Sequence, residues 1–578
     1  MVHLETTLKE LPVLLLDCQA TGPNPEKGRL LEIGWMEIRA IDLYEQEEVS
    51  FSPESHLVRF SEGNALPARI SRITGILESD LEDALDARTA AGLLFHKLEK
   101  VMQRSSSPSC PTVIHFARYE KAFLYDLCQR YGFDFKILDI ICTHEISRRL
   151  LSGLPRRGLR ALAGYFGTSI PEARRTDHHL LATAHIWANL VTELEKQRKV
   201  NCLTELRAWL KECLPPKSNH REFLLDTQIR LNLPDCPGIY RMLRSNGDIL
   251  YIGKATSLRK RVNSYFHNRG GTADHILEML TQVNDLEITP VETPLEASLL
   301  ESDEIKRHSP PYNKQLKAND RSLVYCSRDL AEIESAPNPY CCLGPFPSSS
   351  LLRAISLLLT INKNEDIQEI DPFQVLGFPE SMTPKPEILL EGIDQFRALR
   401  NELFRTHLNW HLVKALGDQL WKERLDEQNG ENDEEDGEDK IMEELTWTPD
   451  RITSFCDSLI LRIAHLSRKA RWLCLLSESV ISWSLGPPQD FCRRIVIANG
   501  RIVDAETIRP TSLLATGPRF PKNRLCRQKA IDLSTYDRLS VLTTEIRKLI
   551  STGADVKIFI ALSKPIPKQR LSGILQWI

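Results

Sequence analysis

Pro237-Gly238-Ile239-Tyr240 is followed by Leu250-Tyr251-Ile252-Gly253-Lys254-Ala255, then by Leu258-Arg259-Lys260-Arg261 and Ser264-Tyr265-Phe266. Glu296-Ala297-Ser298-Leu299-Leu300-Glu301 and Pro311-Tyr312-Asn313 close the stretch. Gly238-Ile239-Tyr240 and Ile249 to Ile252 are short apolar runs, and Asn246-Gly247-Asp248 between them is a turn signal. Together they predict a β-hairpin with a tyrosine on each strand. Leu258 to Tyr265 has helical spacing, with Leu258, Val262 and Tyr265 or Phe266 on one side. Lys254, Arg259, Lys260 and Arg261 put four positive charges into eight residues. Glu296 to His308 reads as a second helix, apolar at Leu299, Leu300 and Ile305, so Glu301 projects from a rigid element in a fixed direction.

Two phenols, several cations, a helix-borne carboxylate and an asparagine suit phosphodiester hydrolysis. A carboxylate holds a hard cation such as Mg²⁺ through oxygen. Arginine and lysine neutralise charge that develops on the phosphate. A tyrosine beside a cation and a metal can act as general base or orient the attacking water. Each piece alone is common: two strand tyrosines are usually core or cross-strand pairs, and a basic cluster is usually a solvated helix face. The order and spacing of all of them carry the reading.

With every element present in order, the stretch closely resembles the GIY-YIG nucleases, specifically the N-terminal endonuclease domain of UvrC and its shorter homologue Cho. The resemblance makes Tyr240 and Tyr251 the two motif tyrosines, followed by Lys254. Arg261 is the helix arginine, Tyr265 the next motif aromatic, Glu301 the metal carboxylate and Asn313 the closing asparagine. It implies hydrolysis of DNA with one Mg²⁺ or Mn²⁺ ion, with Tyr240 as the preferred base and Tyr251 as its rival. Lys254 and Arg261 would stabilise phosphate charge, and Arg259 and Lys260 would contact DNA. Tyr251, Tyr265 and Asn313 would position water, phosphate and hairpin.

Upstream, Val13 to Leu16 is an apolar run ending at Asp17, Gly28 to Arg39 reads as a second strand and Val49 to Phe51 as a third. Helix Ala84 to Val101, strand Thr112 to Phe116 and helices to about Tyr131, near 158–166 and over 178–198 complete an α/β layered domain. Leu16-Asp17-Cys18-Gln19-Ala20-Thr21-Gly22, His115-Phe116-Ala117-Arg118-Tyr119-Glu120, Asp139 and His178-His179-Leu180-Leu181-Ala182-Thr183-Ala184 lie in the order of the DEDDh 3′–5′ exonuclease motifs. This third resembles that family, which has the ribonuclease H-like fold, with His178 on the motif histidine. Such enzymes need four carboxylates around two metal ions about 4 Å apart. Here Asp17 remains, Gln19 and Thr183 replace acids, and Glu120 is one methylene longer than the usual Asp. The resemblance therefore implies a retained fold without exonuclease activity. Arg156, Arg157, Arg160, Arg174 and Arg175 near the former site are candidates for phosphate contacts.

The 578-residue chain carries a formal net charge of −4, unusual for a DNA-binding protein. One segment explains it: residues 426–444 hold eleven Asp and Glu against one Lys, which leaves +6 on the remainder. That segment reads as a disordered acidic linker. Arg519, Lys522, Arg524, Arg527 and Lys529 form a run with no acid between Thr507 and Ile531 and are candidates for a DNA-backbone patch. The fourteen cysteines form no Cys-x-x-Cys pair, so no iron–sulfur cluster or zinc site is expected. No apolar run is long enough to span a bilayer and the N-terminus has no signal-peptide pattern, which implies a cytoplasmic protein without a membrane partner.

The expected organisation is an α/β multidomain chain. A ribonuclease H-like exonuclease domain occupies 1–198 and a connector 199–233. The small GIY-YIG domain follows at 234–317, then a mostly helical UvrC-like continuation at 318–425. The acidic linker covers 426–444, and an α+β region with a late hairpin at Arg493 to Val503 covers 445–578. Ile393 to Leu425 is helical in pattern, as is Trp447 to Trp483. The resemblance implies DNA incision in nucleotide excision repair, with UvrB or another damage-recognition protein as partner. The rivals are cleavage of branched DNA, a non-catalytic DNA-binding adaptor and an active 3′–5′ exonuclease.

Overall fold

The computed structural model describes residues 6–45, 52–60, 66–105, 108–171, 175–213, 221–267, 272–313, 322–361, 372–378, 383–430, 447–485, 491–509, 530–560 and 565–577. The chain divides into two compact units, Met1–Ala297 with His308–Gln315, and Ser298–Arg307 with Leu316–Ile578. Helix Pro294–His308, which carries Glu301, runs through the division.

In the first unit a five-stranded sheet has the order Glu54–Leu57, Leu30–Ile38, Val13–Ala20, Cys110–Ile114, Leu138–Cys142. The central strand pairs antiparallel with Leu30–Ile38 and parallel with Cys110–Ile114. Its side chains alternate between two cores, as a strand covered on both faces requires. Val13 and Leu15 join Met36, Trp187 and Leu190 on one side. Leu14 and Leu16 join Trp35, Leu94 and Phe123 on the other. This is the expected ribonuclease H-like α/β layer. A strand is present at Glu54–Leu57, and the strand expected at Val49 to Phe51 lies outside the described residues. The connector is not a spacer: Val200, Leu206 and Trp209 are buried in the same core as Trp187.

The same unit holds a three-stranded antiparallel sheet in the order Ile249–Ala255, Gly238–Leu243, Asp285–Pro290. The hairpin turns at Gly247, whose φ of 86° favours glycine. Helix Asp274–Gln282 of this module packs on helix Leu159–Tyr165 of the exonuclease-like module. A Cβ at Gly164 would lie 2.5 Å from Gln282 Cγ. Gln282 cannot move aside freely: it is fully buried, and its Oε1 accepts from Arg244 Nε at 3.2 Å and NH2 at 3.1 Å. Arg156 of the first module pairs with Asp274 of the second.

The second unit contains a small sheet, Ile333–Glu334, Val324–Cys326, Leu343–Phe346, against a helical core built from Ile355, Phe396, Leu416 and Ile460. The helical pattern expected over Ile393 to Leu425 is present as three helices, Pro386–Leu399, Asn401–Thr406 and Asn409–Gly430. The breaks fall at Arg400 (φ −123°, ψ 26°) and at Asn409, whose φ of 52° a side chain that bonds its own backbone tolerates. Trp447 to Trp483 likewise is not all helix. Helix Pro449–Leu476 ends and Trp483 lies in strand Ser479–Ser484, a short segment buried on both faces. The late hairpin is present as Cys492–Ala498 and Arg501–Ile508, turning through Asn499 and Gly500 at φ 51° and 72°. It belongs to a four-stranded sheet closed by Lys557–Ile560. The acidic segment beyond Gly430 and the basic run Arg519 to Lys529 lie outside the described residues. Among the described residues no helix is long and apolar enough to cross a membrane.

Candidate nuclease site

Antiparallel register sets Tyr240 opposite Gly253 and Met242 opposite Tyr251. Both tyrosines therefore leave the same face of the hairpin. Helix Leu258–Phe266, capped by Ser257 accepting from Lys260 N at 3.3 Å, brings Tyr265 over them. The three rings form a triangle with centroid separations of 6.1, 6.1 and 6.3 Å. The Tyr240 and Tyr265 hydroxyls are 2.9 Å apart, and Arg261 NH2 donates to Tyr265 Oη at 3.2 Å. The Arg261 guanidinium also lies 5.0 Å from the Tyr265 ring centroid. Burial, then the neighbouring Tyr265 and Tyr251, hold the Tyr240 phenol well above its ordinary pKa. Tyr240 is fully buried, whereas Tyr251 is half-buried.

Asn313 has both ends of its amide committed. Its Oδ1 accepts from Ile252 N at 2.9 Å and its Nδ2 donates to Ile252 O at 2.8 Å. It completes the outer edge of the Tyr251 strand as a neighbouring strand would, and Tyr312 N donates to Leu250 O at 3.1 Å beside it. Tyr312 Oη donates to Glu278 at 2.8 Å and accepts from Gln282 Nε2 at 2.5 Å, which links this clamp to the packing of the two modules. Lys254 stands opposite Ile239, one position out of phase with the tyrosine pair, and is half-exposed. Arg259 and Lys260 lie 3.4 and 3.8 Å from the same Asp235 carboxylate oxygen. Glu301 is half-exposed on helix Pro294–His308. Among the described residues, no three His, Cys, Asp or Glu gather as a metal cage.

The exonuclease-like motifs converge at the ends of strands Val13–Ala20 and Cys110–Ile114, and their polar groups bond to one another. Gln19 Nε2 donates to Asp17 Oδ2 at 2.8 Å and lies 3.1 Å from His179 Nδ1. His179 Nδ1 is 3.3 Å from Asp17 Oδ2. These contacts put nitrogen groups against the carboxylate that a metal ion would need. Glu120 is buried, and burial followed by the nearby Asp17 pushes its carboxyl up to about 9, so it is neutral at pH 7. Thr183 is buried and brings no charge. The donor set does not fit a pair of divalent cations. The histidine bonded to Asp17 and Gln19 is His179; His178 Nδ1 instead lies 4.0 Å from Asp177. His179 adjoins the motif histidine, and only its helical phase on Thr176–Arg198 could have distinguished the two.

The arginines read as phosphate contacts are engaged inside the protein. Arg175 pairs with buried Glu32 at 2.7 Å, Arg157 donates to the Leu151 and Ser152 carbonyls, and Arg160 reaches Pro171 O at 3.5 Å. Arg174 lies outside the described residues.

A family model described as a UvrC-like GIY-YIG domain matches residues 236–314, and a model described as Exonuclease matches residues 14–181. The chain joins an exonuclease-like domain to a UvrC-type GIY-YIG domain. The chain is similar to UvrABC system protein C of Psychrobacter sp., 38% identical over 156 residues, covering 23% of this chain and 24% of the relative. The corresponding Geobacter metallireducens protein is 44% identical over 104 residues, covering 18% and 17%. A Mycobacterium tuberculosis protein provisionally named as a bifunctional exonuclease/endonuclease is 25% identical over 367 residues, covering 61% of this chain and 53% of that one. The chain thus spans about a quarter of the length of the UvrABC relatives, or less, and about half of the mycobacterial protein. Among solved structures, the magnesium-bound GIY-YIG N-terminal endonuclease domain of UvrC from Thermotoga maritima is 30% identical, covers 15% of this chain and 99% of that domain, and has a TM-score of 0.14.

Proposed function

We propose that the chain is a metal-dependent DNA endonuclease that cuts at its GIY-YIG site and incises damaged DNA as UvrC-type proteins do. The observation that carries the reading is the bonded series Tyr240–Tyr265–Arg261 beside Tyr251. It combines a rigid phenol cluster with a guanidinium, on a module that matches the UvrC-like family model.

Glu301 would hold one Mg²⁺ or Mn²⁺ ion. A single carboxylate fits this role, because Mg²⁺ keeps several waters and binds through one or two carboxylates plus substrate phosphate. When bound, the ion polarises the scissile phosphate and eases departure of the leaving oxygen. Arg261 neutralises charge on the non-bridging oxygens. Between the tyrosines, burial supports Tyr251 over Tyr240 as the group that, ionised to the phenolate, takes a proton from water and returns to the neutral phenol. Tyr240 is enclosed, hydroxyl-bonded and hard to ionise, which suits it to holding Tyr265 and through it Arg261 in place. Asn313 acts as a clamp on the Tyr251 strand rather than at the phosphate. The N-terminal domain serves as scaffold, since its acid cluster is neutralised by its own side chains.

The test is nicking of supercoiled plasmid, ultraviolet-treated and untreated, with and without a UvrB-type partner. Preferential, Mg²⁺-dependent nicking of the damaged plasmid supports the repair assignment. Equal nicking of both, with preference for flaps or junctions, would move the substrate to branched DNA.

A further inference from the structure

Helix Pro294–His308, the carrier of Glu301, is gripped by helix Leu533–Ser551 more than two hundred residues later in the chain. The contact is a crossed pair of ion pairs. Lys306 Nζ lies 3.0 Å from Asp537 Oδ2, with the side chains 13% and 11% exposed. Arg538 NH2 lies 2.6 Å from Asp303 Oδ1, and Arg538 Nε donates to the two Asp303 oxygens at 2.8 and 3.1 Å. Lys306 also donates to the Ser534 carbonyl at 3.3 Å. Each helix contributes one acid and one base, so sliding or rotating either helix separates both pairs.

The start of the gripping helix is itself fixed. Asp532 caps Thr535 N at 2.6 Å, and Ile531 N donates to the Tyr325 hydroxyl at 3.1 Å. At 100° per residue, Asp303 and Lys306 project about 200° and about 140° from the direction of Glu301. The ion pairs therefore hold the helix from the side opposite the carboxylate. Lys306, Asp537 and Arg538 are largely removed from water, so removing one partner leaves an uncompensated charge and the effect is larger than for a surface pair.

We propose that Asp537 and Arg538 are positioning residues for the metal-binding carboxylate: the C-terminal region sets the rotation of the Glu301 helix and thereby its affinity for the divalent cation. The inference rests on the reading of Glu301 as the metal ligand. It gives the C-terminal region a role in the nuclease reaction without placing any of its side chains at the phosphate.

The test compares wild type, Asp537→Lys, the charge swap Lys306→Asp with Asp537→Lys, and the milder Arg538→Lys, all in the full chain. Three quantities are read: the Mg²⁺ concentration at half-maximal plasmid nicking, amide hydrogen exchange over residues 298–307, and the melting temperature. Asp537→Lys should raise the Mg²⁺ midpoint by about tenfold, the scale of outer-shell effects on metal affinity, and speed exchange in the helix. The swap should restore both, and Arg538→Lys, which keeps the charge but loses the planar fork, should fall between. A wild-type midpoint and exchange rate in both single variants overturns the proposal. So does a raised midpoint that the swap leaves raised. Should Asp537→Lys fail to fold, Arg538→Lys alone decides. If the wild type shows no Glu301-dependent nicking, the endonuclease reading fails, while the exchange rates still decide whether the ion pairs hold the helix.

Discussion

Gly253 stands directly opposite Tyr240 in the hairpin register, and a Cβ added to it would lie 2.5 Å from Tyr240 Cζ and 2.8 Å from Tyr251 Cε1. The glycine is required for space, because the phenol of one strand lies over the backbone of the other. Gly253→Ala should cost about 1–3 kcal/mol through overpacking and displace both rings. Its nicking rate should fall with the melting temperature. A variant with wild-type stability and activity would show that the rings can rearrange freely.

Asn313→Ala removes the partners of the Ile252 N–H and C=O, both on a buried residue. Each group left unpaired costs about 1–3 kcal/mol. Urea unfolding should show this loss, and nicking should decline in step with folded protein. Loss of activity at unchanged stability would instead place Asn313 at the phosphate.

Tyr251→Phe and Tyr240→Phe separate base from brace. If Tyr251 takes the proton, its removal should lower the single-turnover rate by about a hundredfold or more. Tyr240→Phe breaks one hydroxyl bond to Tyr265 and should cost about tenfold, the equivalent of one ordinary hydrogen bond. The reverse order of severity would return the base role to Tyr240.

Glu120 makes a pH prediction. Its carboxyl is raised to about 9 in the fold against 4.5 as the ordinary value, so the unfolded chain releases the proton first. Stability from the neutral carboxyl is present at low pH and declines as pH rises from about 4.5 toward 9, by up to about 1.4 kcal/mol per unit. Glu120→Gln, permanently neutral, should melt higher than wild type at pH 8 and similarly near pH 4. Equal melting curves at pH 8 would mean that Glu120 ionises in the fold without penalty.

Much of this was legible in sequence because the decisive features are local. Gly247, Asn499 and Gly500 announce their hairpins through backbone conformations that few residues adopt. The helix beginning at Leu258 follows from its apolar spacing. Gln19 and Thr183, where the resembled motifs carry acids, are legible in the sequence as neutral groups. What stayed hidden depends on contacts distant in sequence. His179 differs from its neighbour His178 only in helical phase, and nothing local tells that Gln19 turns its amide onto Asp17. The arginines near the former site looked available until their partners Glu32, Asp274 and the Leu151 carbonyl were seen. Tyr240 and Tyr251 are both motif tyrosines, and their difference in burial and the Tyr240 hydroxyl bond to Tyr265 appear only in the folded structure.

The central claim is that Glu301 supports metal-dependent cleavage by the GIY-YIG domain. The most direct measurement is nicking of supercoiled plasmid by wild type and Glu301→Gln across a Mg²⁺ and Mn²⁺ titration, with folding checked by circular dichroism. The account predicts nicking by the wild type only with metal, and a loss of at least a hundredfold in a folded Glu301→Gln protein. Equal metal-dependent nicking by the folded variant would contradict it, and so would a wild type that binds DNA but cuts under neither metal.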